Sequence, residues 1–86
     1  MLIVLSLNKM TIKELTFRKK TTIMRFLEEH LEKKLLSMGI MPGSSVEVLR
    51  KAPFGGALYV KIDGLILALR SSEASSIEVK NGEKNI

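Results

Sequence analysis

A chain of 86 residues is long enough for one domain, and the absence of cysteine excludes a disulfide framework and a thiolate metal site. The formal net charge of +5 is local: residues 1–26 carry Lys9, Lys13, Arg18, Lys19, Lys20 and Arg25 against the single acid Glu14, and the rest of the chain balances. No apolar run reaches the ~20 residues of a membrane helix, and Met1–Leu7 lacks the basic lead and small-residue cleavage site of a signal peptide.

Residues 1–9 are expected to be an N-terminal extension or a short edge strand. Met10 to Leu15 has apolar side chains at 10, 12 and 15, which fits a short helical turn or an irregular lead-in. Thr21 to Phe26 is rich in strand formers and predicts the first strand. Glu28 to Met38 predicts a helix, with Leu27, Leu31, Leu35 and Met38 at helical spacing on one face. Glu28, Glu29 and Glu32 sit early and Lys33 and Lys34 late, both favourable to the helix dipole, and Glu29–Lys33 offers an i,i+4 pair. Gly39 stands where a helix commonly ends in a left-handed residue, and Pro42-Gly43 sets a tight turn into the next strand.

The period then switches to two. Val46 and Val48 alternate with Glu47, and Ala52-Pro53-Phe54-Gly55-Gly56 breaks the strand. Leu58, Val60 and Ile62 alternate with Tyr59 and Lys61. Asp63-Gly64 is a type I′ hairpin signal, and Leu65, Leu67 and Leu69 return on one face. Ser71 to Ser75 reads as a turn or 3₁₀ step, Ile77 and Val79 as a last strand, and residues 81–86 as a polar tail. About five short antiparallel strands bury little in an open sheet. Closing them into a small SH3-like barrel, mainly β and plugged at one end by a helix between the first and second strands, removes exposed edges.

The chain carries no catalytic constellation. His30 is the single histidine and falls opposite the apolar helix face, where a surface role suffices. The acids at 28, 29 and 32 are accounted for by the dipole. Met10, Met24, Met38 and Met41 would suit Cu(I) and poorly suit Fe(II), but Met24 on a strand and Met38 on the helix read as core. Gly39 and Gly43 are not part of a phosphate loop, because no Gly-Lys-Ser/Thr follows. No metal site and no cofactor are expected. Arg18-Lys19-Lys20 reads as a solvated loop or as a contact for an anionic partner. Phe54, bounded by proline and glycine and preceded by Arg50 and Lys51, either folds onto the barrel or anchors a partner.

Two stretches, Met38-Gly39-Ile40-Met41-Pro42-Gly43 and Leu67-Ala68-Leu69-Arg70-Ser71-Ser72-Glu73-Ala74, together with Val-Glu-Val-Leu-Arg-Lys-Ala-Pro-Phe-Gly between them, resemble the FeoA family over residues 10–80. The resemblance implies an SH3-like barrel, a non-enzymatic cytosolic accessory of ferrous iron uptake, and a partner: the FeoB-type GTPase permease, met through its cytosolic part at the inner face of the membrane. It also implies a runner-up, because the same module ends iron-dependent repressors of the diphtheria-toxin-repressor type. A nucleic-acid-binding barrel would use Arg18, Lys19, Lys20 and Arg25, but such barrels stack bases on several exposed aromatics. Here there are Phe17, Phe26, Phe54 and Tyr59, and Phe26 looks buried, so no specific nucleic acid is expected. The chain departs from the family pattern at Phe17-Arg18-Lys19-Lys20, at Gly55-Gly56-Ala57 and in the nine residues before Met10. The expected partner surface comprises Arg50, Lys51, Pro53, Phe54 and Gly55, with Arg70; Gly39, Pro42 and Gly43 are structural turns. Self-association is left open.

Overall fold

The computed structural model describes residues 10–80, so the expectations for residues 1–9 and for the tail lie outside the described residues. Six strands form one antiparallel sheet: β1 (Met10–Thr11), β2 (Lys20–Phe26), β3 (Ser45–Lys51), β4 (Leu58–Ile62), β5 (Leu65–Leu69) and β6 (Ile77–Val79), in the order β1-β6-β2-β3-β4-β5. A 3₁₀ turn (Ile12–Glu14) follows β1, α1 (Glu29–Leu36) links β2 to β3, and the single-turn α2 (Ser71–Ala74) links β5 to β6. The sheet curls so that its alternate apolar residues enclose one core, which includes Ile23, Val46, Val48, Val60, Ile62 and Ile77. The 3₁₀ turn adds Ile12 to that core and α2 adds Ala74; α2 touches both β5 and the 3₁₀ turn, bridging the two sheet edges.

The sixth strand is β1, where the sequence suggested a helical turn or irregular lead-in. Met10 pairs with Val79 and Thr11 with Glu78, so tertiary pairing extends two residues before the 3₁₀ turn begins. The helix therefore lies between the second and third strands. It is also shorter than the predicted 28–38. Glu28 is its N-cap, its carboxylate accepting from the N–H of Leu31 at 2.8 Å and of His30 at 3.1 Å. At the other end the Gly39 N–H donates to the Leu36 carbonyl and the Ile40 N–H to the Leu35 carbonyl, both at 2.9 Å, with Gly39 at φ 84°. That is a Schellman stop, and Ile40 is buried beside Leu35 as such a motif requires.

The predicted four-residue apolar face is corrected accordingly: Leu31 and Leu35 are buried, whereas Leu27 and Met38 are exposed. Leu27 precedes the helix, its N–H held by the Ser76 carbonyl, and Met38 falls in the Schellman turn. Met24 is likewise not core. The β2–β6 register shifts between Ile23 and Arg25, so Met24 is the extra residue of a bulge and is 44% exposed. Met41 is exposed beside the turn that Pro42 and Gly43 make, Met10 is partly buried against the core, and so is Phe26. In that turn the Ser44 N–H donates to the Met41 carbonyl at 2.9 Å and Gly43 takes φ 99°. Residues 71–74 form a turn of α-helix, the Ala74 N–H donating to the Arg70 carbonyl at 2.9 Å, where a turn or 3₁₀ step was expected.

The type I′ hairpin is as the dipeptide predicted, with Asp63 at φ 47° and Gly64 at φ 90°. The Asp63 carboxylate accepts from the Ser45 N–H at 2.9 Å, which ties the β4–β5 turn to the start of β3. Of the three leucines predicted inward on β5, Leu69 is buried and Leu67 packs on the core, but Leu65 is half-exposed at the open end.

Candidate partner-docking surface

The β3–β4 connection is a short hairpin loop. Its base closes where the Ala52 N–H donates to the Ala57 carbonyl at 2.9 Å, and its tip where the Gly56 N–H donates to the Pro53 carbonyl at 3.2 Å. The two central tip residues are Phe54 at φ 58° and Gly55 at φ 72°, a pairing of left-handed residues that twists with the strands. Glycine takes that conformation cheaply, but for a bulky aromatic it is strained. Gly56 is required for a different reason: a Cβ there would stand 2.9 Å from the Cβ of Ala52. The Phe54 side chain touches nothing, at 102% exposure. An aromatic ring thus stands in water on a backbone that would prefer glycine or asparagine.

The flanking cations are placed by the strands. Register pairs Lys51 with Leu58 and Leu58 with Leu69, so the loop and Arg70, one residue beyond Leu69, share one end of the sheet. Arg50, Lys51, Pro53, Phe54, Gly55 and Arg70 therefore lie at the same end of the sheet, on the β3–β4 connection and just past β5. A register shift between Val48 and Arg50 makes Leu49 a bulge and sets Arg50 opposite Tyr59, with the guanidinium 5.3 Å from the ring centroid. Arg70 is exposed, and its N–H donates to Glu73 Oε1 at 2.8 Å. Glu73 in turn stands 3.7 Å from Lys34 of α1.

Sequence reasoning missed one neighbour of this end. The Arg18 N–H donates to the Val48 carbonyl at 2.8 Å, so the segment before β2 lies along β3. Arg18 takes φ 67° and its guanidinium sits 5.6 Å from the Phe17 ring, which is 65% exposed. The signal was available as an aromatic beside a cation in the basic segment, but nothing local fixes that segment against β3. Lys20 is drawn into β2 opposite Glu47, so the basic run is only partly a loop.

Elsewhere the surface offers little chemistry. A shallow cavity of about 210 Å³ on the sheet is lined by Lys20, Ser45, Glu47, Lys61, Asp63 and Gly64, and another of about 70 Å³ by Glu29, His30 and Lys33. Lys33 and Glu29 stand 3.9 Å apart with both side chains largely in solvent, a pair worth little. Two carboxylates are held below their ordinary range. Glu14 is stabilised as the anion first by the Thr11 hydroxyl, which donates at 2.6 Å, and Asp63 first by the Ser45 N–H. Among the described residues, no three or more His, Cys, Asp or Glu side chains come together as metal ligands. No helix of the described residues is long and apolar enough to cross a membrane.

The profile of the FeoA domain matches residues 10–81. Among solved structures, a FeoA-like protein from Clostridium acetobutylicum is 26% identical with a TM-score of 0.76, the match covering 91% of this chain and 92% of that one. Stenotrophomonas maltophilia FeoA, solved with zinc, is described as an SH3 domain protein and a candidate ferrous iron transport activating factor; it is 28% identical with a TM-score of 0.72, over 83% of this chain and 89% of that one. A manganese-dependent transcriptional repressor in complex with manganese also matches, at 25% identity and TM-score 0.74, over 85% of this chain but 36% of the repressor. Barrel, turns and matched length agree: the chain belongs to the FeoA family.

Proposed function

We propose that this protein is a non-enzymatic accessory of ferrous iron uptake, docking on the cytosolic part of a FeoB-type GTPase permease and modulating it from the inner face of the membrane. The observation that carries the docking surface is Phe54, fully exposed at φ 58° on the loop after Lys51, at the sheet end that also carries Arg70. Strain of order 1–3 kcal/mol at an exposed aromatic has no benefit for the free domain and is commonly retained where a ring enters a partner. The neighbouring Arg50, Lys51 and Arg70 suit an acidic rim around the pocket that receives it. Membership of the FeoA family supports the transport role, and the small, loop-borne surface supports a regulator rather than a catalyst.

Titration calorimetry between this domain and the permease's cytosolic domain tests the reading. Phe54→Ala should weaken association by about tenfold or more, equivalent to ~1–2 kcal/mol. Full retention of affinity in that variant would move the interface elsewhere, first to the α1 face bearing His30, Lys33 and Lys34. No association at all between the wild-type domains would remove the permease as partner.

A further inference from the structure

The strand at one margin of the sheet, β5, reads Leu65-Ile66-Leu67-Ala68-Leu69 and, among the described residues, has β4 as its one neighbour. Exposed edges in natural sheets are usually blunted by a lysine, a proline or a bulge. β5 has none of these: it is wholly uncharged, and its ladder with β4 runs without a register shift. Ile66 is 64% exposed and Ala68 is exposed beside it. The closing pair of a two-residue hairpin, here Ile62–Leu65, is hydrogen-bonded, and bonded and non-bonded pairs alternate along the ladder. The N–H and C=O of Ile66 and Ala68 therefore point away from β4. Among the described residues, no other backbone hydrogen bond reaches 65–69.

We infer that β5 is a self-association edge, pairing antiparallel with β5 of a second copy about a two-fold axis at Leu67. In that register Ile66 faces Ala68 of the second copy, and each exchanges its outward N–H and C=O with the other. The flanks select this register and this occupant. β5 is preceded by Asp63 and followed by Arg70, so the antiparallel arrangement sets Arg70 of each copy across from Gly64 of the other, beside the opposite Asp63. Gly64, lacking a side chain, leaves room for the arginine stem. A shift of the axis to Ala68 would instead set Arg70 across from Ile66 and next to Lys61, a like charge. The edge is thus self-complementary in hydrogen bonding, apolar surface and charge. A five-residue edge buries less than the ~1,200–2,000 Å² of a stable interface, so the pairing is weak and concentration-dependent. This inference does not depend on the permease reading.

Sedimentation equilibrium of the full chain from about 10 μM to 1 mM, combined with amide exchange, is the test. The expected result is a reversible dimer in which the Ile66 and Ala68 amides gain protection as concentration rises. Ile66→Lys, which puts a charge on the edge next to Lys61, should weaken dimerisation by at least about tenfold. Ala68→Lys is a second route to the same loss should the first variant fold poorly. Neither residue lies on the docking surface, so permease binding should survive in both. A monomer throughout, or a dimer unchanged in both variants, overturns the inference. So does protection of these amides in dilute monomer that disappears when residues 1–9 are deleted, because the chain's own N-terminal segment would then occupy the edge.

Discussion

The Arg50 guanidinium lies 5.3 Å from the centre of the Tyr59 ring, directly across the β3–β4 ladder. The bulge at Leu49 makes this alignment, so the barrel itself holds one cation of the proposed docking surface. At an exposed site such a contact contributes roughly 0.5–1 kcal/mol. Tyr59→Leu should lower stability by about that amount, and by much less when Arg50 is already alanine. Chemical denaturation of the double-mutant cycle measures it; additive effects would mean that the two side chains do not interact.

Phe54→Asn should stabilise the free domain while weakening docking. Asparagine tolerates the left-handed backbone and keeps the unfolded chain less free than glycine would. A gain of about 1 kcal/mol corresponds to ~4–8 °C in a domain of this size. A lowered melting temperature would show that the ring is held by the fold.

Gly39→Val should cost about 1–3 kcal/mol from backbone strain alone. No atom stands within 4 Å of where a Cβ would be, so crowding plays no part. Gly39→Asn, which accepts φ 84°, should cost markedly less. Thermal melting of the two variants separates them, and equal losses would contradict the Schellman account.

Glu14 and Asp63 both have carboxyls depressed by native hydrogen bonds, from the Thr11 hydroxyl and the Ser45 N–H respectively. A depressed group adds stability above its unfolded pKa, and that stability is lost as pH falls through the folded value. Stability should therefore decline below about pH 4.5. Glu14→Gln should flatten part of that decline, as followed by denaturation at a series of pH values. An unaltered acid limb in the variant would count against the Thr11–Glu14 contact.

Ferrous iron should not be held tightly by this domain. With no cluster of hard or imidazole ligands among the described residues, anaerobic calorimetry with Fe(II) should reveal no site tighter than roughly micromolar, about −8 kcal/mol. A stoichiometric submicromolar site would reverse this expectation.

The sequence was most legible where a residue type has one conformational use. Gly39, Pro42-Gly43 and Asp63-Gly64 each form the predicted turn, because their backbone geometry is local. Alternation placed Val46, Val48, Val60 and Ile62 inward for the same reason. The misses are tertiary. Met24 reads as core until the β2–β6 bulge turns it out, Leu27 reads as helix face until Ser76 holds it ahead of the helix, and β1 exists because β6 is there to pair with it. At the proposed docking end, composition suggested Arg50, Lys51 and Phe54, but the left-handed strain at Phe54 and the approach of Arg18 to β3 are properties of the assembled barrel.

The strand order has a consequence for synthesis. β6 lies between β1 and β2, yet it is the last of the described strands to be made. Until Ile77–Val79 emerges, β1 has no partner and β2 lacks one of its two neighbours, and the core lacks Ile77 and Val79. Closure of that gap joins Met10 to Val79, near opposite ends of the described residues, a slow step for any polypeptide. The β2–β3–β4–β5 meander can form early on the ribosome, but the finished barrel must wait for β6. A nascent chain stalled before β6 would present the meander's unpaired β2 margin to solvent and to chaperones.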